Sequence, residues 1–289
     1  MRVLITGRHG QVSRELQRAL GSEAELLVLG HEQLDLADGE AVRRQVRELR
    51  PDLLINAAAH TAVDQAESEP ELAYAINATA PGILAEEASA LRVPLIHYST
   101  DYVFDGHKAT PYCEDDATGP LGVYGSSKLA GEQAIRVCGG QHLILRTSWV
   151  YSLHGRNFLL TMQRLLQERE ELRVVADQVG APTWAGTIAR TTVELIRRWR
   201  DGQPGAWGTY HLTGLGETSW FGFAEAIAAH LQAQGRTCAR LTPIASSEYP
   251  TPAQRPANSR LDCSRLQHEW RIELPDWREA LSECLSSPR

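Results

Sequence analysis

A tyrosine and a lysine four positions apart, in the segment Tyr124-Gly125-Ser126-Ser127-Lys128, have the clearest chemical use in this chain. On a helix, two residues at this spacing lie one turn apart on the same face. A free tyrosine has a pKa of about 10, so it exchanges protons poorly near neutral pH unless a cation stabilises its phenolate. We therefore predict that Tyr124 is a proton donor and that Lys128 lowers its pKa.

Two hydroxyl-bearing residues, Ser99 and Thr100, end a predicted strand upstream of this pair. The Thr100 hydroxyl can hydrogen-bond a substrate carbonyl and orient it towards Tyr124. A tyrosine and a lysine at this spacing also occur by chance on surface helices, so the pair gains weight only beside other motifs. Together these residues predict catalysis by Thr100, Tyr124 and Lys128, while His97, within the strand, is interpreted as a structural residue.

The sequence ITGRHGQVS, at residues 5–13, places Gly7 and Gly10 after a predicted strand and at the start of a predicted helix. Backbone amides and the helix dipole can hold a pyrophosphate at such a point. Ser13 replaces the third glycine of the usual fingerprint and is small enough for close helix packing. The segment therefore predicts a dinucleotide site rather than a plain tight turn.

The residues after the second predicted strand, Gly30-His31, bear on the choice of cofactor. NAD-selective enzymes place an acid here, on the adenosine ribose. Because no carboxylate stands here to repel a 2′-phosphate, the sequence predicts NADPH, with Gly30 beside it. Glu32 is the nearest acid, and NADH is the alternative if its side chain turns inward.

Small residues end the third predicted strand, at Ala57, Ala58 and Ala59. They would let a flat cofactor or its ribose approach the backbone closely. A tightly packed strand end explains the same residues equally well, so this run alone decides nothing.

Strand-length apolar runs alternate with helical patterns through the first half of the chain, which is typical of βαβ units and a parallel sheet covered on both faces. Strands are predicted over Arg2–Thr6, Glu25–Leu29, Asp52–Ala58, Val93–Thr100 and His142–Val150. Helices are predicted over Val12–Leu20, Gly39–Arg50, Glu71–Leu91 and Ser126–Cys138. The predicted fold is an α/β, doubly wound parallel (Rossmann) sheet.

After about residue 150 the alternation is less regular, with a predicted helix, strand and helix over Phe158–Glu168, Leu172–Ala176 and Thr187–Trp199. The stretch Thr242–Arg260 is rich in Pro, Ser and Thr, which indicates either an ordered loop that closes over a ligand or a flexible one. We predict a dinucleotide-binding domain over residues 1–150, to whose sheet some later segments return. A smaller C-terminal α/β lobe, mainly 151–289, is predicted to bind substrate.

Composition excludes several classes of protein. A formal net charge of -7 argues against a surface that coats nucleic acid, because such surfaces need clustered positive charge. The apolar run at the N-terminus is too short for a signal peptide or a membrane span, so a cytoplasmic location is expected. Five cysteines without ligand-like spacing are interpreted as reduced thiols.

Several longer stretches resemble the dTDP-4-dehydrorhamnose reductase family of the extended short-chain dehydrogenase/reductases, and the resemblance covers nearly the whole chain. The matching stretches are GxxGQV at Gly7–Val12, NAAAHTAVDxAE at Asn56–Glu67, HYSTDYVF at His97–Phe104, VYGxxKLAGE at Val123–Glu132, LRTSWVY at Leu145–Tyr151, QxGAPT at Gln178–Thr183 and YPTPAxRPxNSRL at Tyr249–Leu261.

The resemblance implies hydride transfer from NADPH or NADH to the 4-keto group of a dTDP-6-deoxy-L-hexulose, giving dTDP-L-rhamnose, with the proton from Tyr124. It implies cofactor contacts from Gly10, Gln11, Val12, Asp35, Leu36, Ala59, His60, Thr61, Tyr124 and Lys128. It further implies that Thr100, Asp101 and Trp149 meet the sugar. Arg255 and Arg260 would suit the diphosphate, because a guanidinium pairs with phosphate oxygens in bidentate fashion, although a solvated basic loop is the alternative.

The resemblance also points to family members that form a magnesium-bridged dimer. They use an acid at the position of Glu15 together with an acid in the segment after GAPT. Here Trp184–Ile188 carries no carboxylate, so no metal is predicted and Glu15 is interpreted as a helix surface residue. A homodimer is compatible with the sequence, which does not fix the oligomeric state.

Two other functions remain open on the sequence alone. A related reductase could deliver hydride to the other face of the sugar and form a 6-deoxytalose nucleotide. The same fold also serves a non-catalytic regulatory subunit, like the β subunit of methionine adenosyltransferase, although Thr100, Tyr124 and Lys128 together favour catalysis.

Overall fold

A six-stranded parallel sheet organises the first half of the chain in the computed structural model, which describes residues 1–21 and 23–287. The strands of these residues are β1 (Arg2–Thr6), β2 (Glu25–Leu29), β3 (Leu53–Asn56), β4 (Leu95–Thr100), β5 (His142–Thr147), β6 (Val150–Tyr151), β7 (Glu171–Val175), β8 (Val179–Gly180), β9 (Thr183–Trp184), β10 (Gly208–His211), β11 (Thr218–Ser219) and β12 (Arg240–Ile244). The main sheet has the order β10-β5-β4-β3-β1-β2 and every pair in it is parallel.

Helices follow most of the strands. They are α1 (Gln11–Leu20), α2 (Gly39–Leu49), α3 (Val63–Ala66), α4 (Pro70–Tyr74), α5 (Ala80–Leu91), α6 (Val123–Cys138), α7 (Phe158–Glu168), α8 (Ala185–Arg200), α9 (Trp220–Ala233), α10 (Ser264–Trp270) and α11 (Trp277–Ser286). Among the described residues, no helix combines the length and the apolar character that crossing a membrane requires.

The sheet is covered on both faces because its strands are apolar on both sides. Val3 and Ile5 pack in one core with Leu16 of α1 and Ile188 of α8. Leu4, which points to the opposite face, packs with residues of α2, α5 and α6. The predicted doubly wound parallel sheet is confirmed.

Chain segments beyond residue 150 contribute to this sheet as well. β10 pairs with β5, and α8 packs against α1. A separate apolar core lies in the later part of the chain, where Leu159 of α7, Phe223 of α9 and Trp277 of α11 pack together. This second core is formed by elements that follow residue 150.

Two of the differences from the predicted helices bear on the site. The helix predicted from Ser126 begins at Val123, so Tyr124 lies in its first turn. The helix predicted over Glu71–Leu91 is interrupted by a π-helical turn over Ala75–Thr79. There the Asn77 amide accepts a hydrogen bond from the backbone N–H of His60 at 2.8 Å and donates one to its carbonyl at 3.1 Å, which fixes the loop after β3.

Candidate functional site

A cavity of about 520 Å³ opens at the carboxyl ends of β1 and β3, where the strand order reverses. Open α/β sheets bind their ligands at this point. Nine of the residues predicted for the cofactor line it: Gly7, Gly10, Gln11, Val12, Gly30, Ala59, Thr61, Tyr124 and Lys128. The tyrosine and lysine that could do chemistry therefore face the same cavity as the glycine loop.

The glycine loop is shaped for close approach of a ligand. Gly7 has a φ of +84°, and a Cβ added there would lie 3.0 Å from Ala58 on the neighbouring strand end. Gly10 precedes α1 without any side-chain cap, so the first N–H groups of this helix are free of such a partner. In the described part of the chain, the buried Thr147 hydroxyl at the cavity wall has no hydrogen-bond partner. A dinucleotide fits these features.

Glu32 lies beside Gly30, with about half of its side chain exposed. A Cβ added to Gly30 would lie 2.5 Å from either Glu32 carboxylate oxygen. Oε1 of Glu32 lies 3.2 Å from His9 Nε2 and 3.7 Å from Arg8 Nη1. The carboxylate does not line the cavity itself, but it pairs with Arg8 and His9, two side chains that do.

Tyr124 and Lys128 lie on one face of α6, as predicted. Burial raises the pKa of Tyr124 above its ordinary value, while the nearby Thr100 hydroxyl acts in the opposite direction. The Lys128 ammonium donates to the carbonyl of Tyr98 at 2.7 Å. The raised pKa keeps Tyr124 protonated and able to donate, and the lowering of its pKa by Lys128 stays a prediction.

Thr100 and Asp101 lie directly after β4, beside Tyr124. The Thr100 hydroxyl donates to Oδ1 of Asp101 at 3.1 Å and accepts from the backbone N–H of Tyr102 at 3.2 Å. Burial raises the pKa of Asp101 to about 6. The ring of Tyr102 in turn meets the ring of Tyr124 edge-on, with 5.4 Å between centroids.

A larger cavity of about 920 Å³ lies between α7, β7 and the loop after β12. Its wall includes Trp220, Gln178 and Arg255. Trp149 does not line it directly but stacks on Trp220, with 3.6 Å between ring centroids. Trp149 holds a φ of +48°, which is rare for a residue with a side chain, so the backbone is constrained to present this ring.

The two predicted arginines have different surroundings. Arg255 lines the larger cavity and donates to Asp64 at 2.8 Å and to the Tyr102 hydroxyl at 3.3 Å. Arg260 instead donates to Asn258, Glu217 and the carbonyl of Ala109, all within 2.8 Å. The structure therefore brings Arg255 to the site, while Arg260 holds its own loop in place.

Comparison with known proteins bears on the whole chain. The family model described as the RmlD substrate binding domain matches residues 1–289. A dTDP-4-dehydrorhamnose reductase from Burkholderia thailandensis is 47% identical over 292 residues, which cover 99% of this chain and 98% of that protein. The chain belongs to the dTDP-4-dehydrorhamnose reductase family.

Solved structures of the same family share the fold. A dTDP-4-dehydrorhamnose reductase from Clostridium acetobutylicum has a TM-score of 0.91 at 37% identity, covering 99% of this chain and 98% of that one. One from Bacillus anthracis, solved in complex with NADP, has a TM-score of 0.90 at 36% identity, with 98% of each chain covered. The resemblance drawn from the motifs is confirmed at the level of the family.

Three residues that the family resemblance implied for the cofactor do not line the smaller cavity. Asp35 is exposed and accepts from the backbone N–H of Ala37, and Leu36 is buried beneath it in the core. His60 lies behind Thr61, with Nε2 3.5 Å from Glu69. Other residues that do line the cavity were missed, namely Arg8, His9, Ser99, Thr147 and Arg156. Arg8 and His9 could have been found, since they lie between the two loop glycines.

Glu15, interpreted as a helix surface residue, is in fact buried, with 6% of its surface exposed. Its carboxylate lies 3.2 Å from Arg18 and 4.0 Å from His154. The burial depends on contacts with distant parts of the chain, such as His154. Within residues 1–21 and 23–287, no group of three or more His, Cys, Asp or Glu side chains is arranged to hold a metal ion.

Proposed function

We propose that this protein reduces the 4-keto group of dTDP-4-dehydro-L-rhamnose to give dTDP-L-rhamnose, using NADPH or NADH. The observation that carries the proposal is that Tyr124 and Lys128 face the same cavity as Gly7 and Gly10. Membership of the dTDP-4-dehydrorhamnose reductase family supports the choice of substrate.

The smaller cavity suits the dinucleotide. The N-terminus of α1 and the loop at Gly7 and Gly10 would receive the pyrophosphate, while Lys128 and Thr147 would face the nicotinamide ribose. When bound, the cofactor supplies the hydride. The proposal favours NADPH, since the Bacillus anthracis relative was solved with NADP, and keeps NADH because the Glu32 carboxylate lies beside Gly30.

Tyr124 would supply the proton. Its raised pKa keeps the hydroxyl protonated at neutral pH, as a donor to a developing alkoxide requires. The Thr100 hydroxyl would hydrogen-bond the keto oxygen in place of its present acceptor, Oδ1 of Asp101. Polar groups placed in advance around the reacting oxygen stabilise charge without reorganisation.

The larger cavity suits the nucleotide part of the substrate. Arg255 is the cation on its wall that could pair with the diphosphate, and the Trp149–Trp220 stack offers a flat apolar wall for the sugar or the base. Contacts connect this wall to the proton donor, because Arg255 reaches Tyr102 and Tyr102 packs on Tyr124. We therefore propose that the chain after residue 150 mainly forms the substrate lobe. The cytoplasmic location and the homodimer stay predictions.

The decisive experiment supplies the purified protein with NADPH and with the keto-sugar nucleotide made enzymatically from dTDP-glucose. The product sugar is then identified by NMR. Formation of dTDP-L-rhamnose supports the proposal, whereas dTDP-6-deoxy-L-talose would assign the related reductase. Cofactor binding without any turnover would favour a regulatory subunit of the same fold.

A further inference from the structure

Three buried polar side chains lie side by side on one face of the main sheet. Thr6 of β1 pairs with Asn56 of β3, and Asn56 pairs with His97 of β4. Their exposed fractions are 2%, 1% and 1%, in strands that are otherwise largely apolar. Buried polar groups are retained at a free-energy cost unless they are hydrogen-bonded to one another, so this row calls for an explanation.

The three side chains form a hydrogen-bonded chain that ends at Lys128. Thr6 Oγ1 lies 2.6 Å from Oδ1 of Asn56, and Nδ2 of Asn56 lies 3.0 Å from Nδ1 of His97. Nε2 of His97 lies 3.1 Å from Nζ of Lys128. At its other end, Thr6 Oγ1 accepts from the backbone N–H of Ala58 at 3.3 Å, against which Gly7 packs. The chain thus runs from the glycine loop to the lysine.

His97 is held as a neutral imidazole, because burial and the charge of Lys128 both lower its pKa well below its ordinary range. A neutral ring donates from one nitrogen and accepts at the other. An ammonium has donors only, so Nε2 of His97 must accept from a charged Lys128, and Nδ1 must then carry the hydrogen. With the hydrogen on Nδ1, the amide oxygen of Asn56 must face the ring and its NH₂ must face Thr6, which exchanges the two amide atoms in the distances given above.

We propose that His97 is a positioning residue of the reductase, whose Nε2 accepts a hydrogen bond from Lys128 and holds its ammonium beneath the cofactor cavity. Asn56 contacts the other nitrogen of the ring, and Thr6 contacts Asn56, so the ring is held from both sides. With the Tyr98 carbonyl as a second acceptor, two of the three N–H groups of Lys128 are satisfied from β4. One N–H is left for a ligand in the cavity. This inference rests on the proposed function, which gives Lys128 its role.

Other charged or titratable groups around Lys128 do not replace this contact. Glu132 follows one turn later on α6 and favours the charged lysine, but its carboxylate is already paired with Arg146 at 2.7 Å and Arg136 at 2.6 Å. Tyr124, one turn earlier, and Tyr98, on β4, both stay protonated because burial raises their pKa values. His97 is therefore the side chain that can adjust the lysine by direct contact.

Two matched substitutions separate the two ends of the ring. His97→Gln can place an amide oxygen near the position of Nε2, so it keeps an acceptor for Lys128. His97→Asn is shorter, so it can keep the contact with Asn56 but cannot reach Lys128. Both variants are polar and buried alike, and thermal unfolding of each establishes that it folds.

Lysine titration in the protein without cofactor reads out the contact directly. The chain has only two lysines, Lys108 and Lys128, so protein labelled with ¹³C-lysine gives two side-chain signals, which Lys108→Arg assigns. Burial lowers the pKa of Lys128 to about 8, whereas Asp116 raises the pKa of Lys108 and makes it an internal reference. Because His97 stabilises the charged form, its loss must lower the midpoint further.

The expected result is a Lys128 midpoint about one pH unit lower in His97→Asn and unchanged in His97→Gln, since a hydrogen bond to a charged group is worth about one unit or more. In turnover, the alkaline fall of kcat should move down by the same amount in His97→Asn alone. A folded His97→Asn protein whose Lys128 titrates as in the wild type would overturn the proposal. Because the titration needs no substrate, it stands even if the wild type proves inactive, which would defeat the proposed function instead.

Discussion

The guanidinium of Arg255 lies 2.8 Å from the carboxylate of Asp64. Asp64 belongs to α3, which follows strand β3 of the main sheet. Arg255 belongs to the loop after β12, in the later part of the chain. The pair therefore links the loop on the wall of the larger cavity to α3. It also orients the guanidinium of Arg255, the group proposed for the diphosphate.

Arg255→Ala is expected to weaken substrate binding more than chemistry. A charge-assisted hydrogen bond contributes about 1.5–3 kcal/mol, so KM for the sugar nucleotide should rise about ten- to a hundredfold with little change in kcat. Steady-state kinetics with a fixed saturating cofactor measures both. Arg260→Ala is the matched control, because the same change there removes contacts within the loop and should act on thermal stability instead. Equal effects on KM from the two changes would contradict the assignment.

Glu32→Gln is expected to shift the cofactor preference towards NADPH. The change removes the negative charge beside Gly30 and frees Arg8 and His9 to face a 2′-phosphate. Dissociation constants for NADPH and NADH, measured by fluorescence titration, should give a ratio that moves severalfold in favour of NADPH. Glu40→Gln, an exposed acid on α2, serves as the control and should leave the ratio as it is. An unchanged ratio in Glu32→Gln would show that this carboxylate does not face the ribose.

Asp101→Asn is expected to change how stability depends on pH. Burial raises the pKa of Asp101 from 3.8 to about 6 in the folded protein. The pKa of Asp101 is higher in the folded than in the unfolded protein. The stability that the protonated carboxyl contributes is therefore fully present below the unfolded pKa and is lost as the pH rises through the folded pKa. The free energy of unfolding of Asp101→Asn minus that of the wild type should therefore rise between these two pH values, by about 3 kcal/mol.

Thermal or urea unfolding of both proteins from acid to neutral pH measures this difference. The other titrating groups are common to the two proteins and cancel. A difference that is flat across the range would mean that folding does not raise the pKa of Asp101.

Local sequence patterns predicted those parts of the site that depend on neighbouring residues. Gly7 and Gly10 needed only the strand before them and the helix after them, and Tyr124 and Lys128 needed only one helix face. These residues do face one cavity. The parallel sheet was predicted from apolar runs that alternate with helical patterns. These runs supply the apolar residues that pack on both faces of the sheet.

Features that depend on distant parts of the chain could not be predicted in the same way. Glu15 was interpreted as a surface residue of α1. It is buried, and His154, which is distant in sequence, lies near it. Arg260 was grouped with Arg255 because both lie in one basic loop, but only the folded loop shows that Asn258 and Glu217 take up the guanidinium of Arg260. His97 looked structural because nothing local indicates that Lys128 of α6 would reach it.

The most direct test of the account compares the wild type with Tyr124→Phe. Cofactor oxidation in the presence of the keto-sugar nucleotide is measured together with the dissociation constant of NADPH in its absence. A positioned proton donor contributes about a hundred- to ten-thousandfold to the rate. The kcat of Tyr124→Phe should therefore fall by a factor in this range, while its dissociation constant for NADPH stays unchanged. A Tyr124→Phe protein that turns over within a few-fold of the wild type would contradict the central claim that Tyr124 donates the proton.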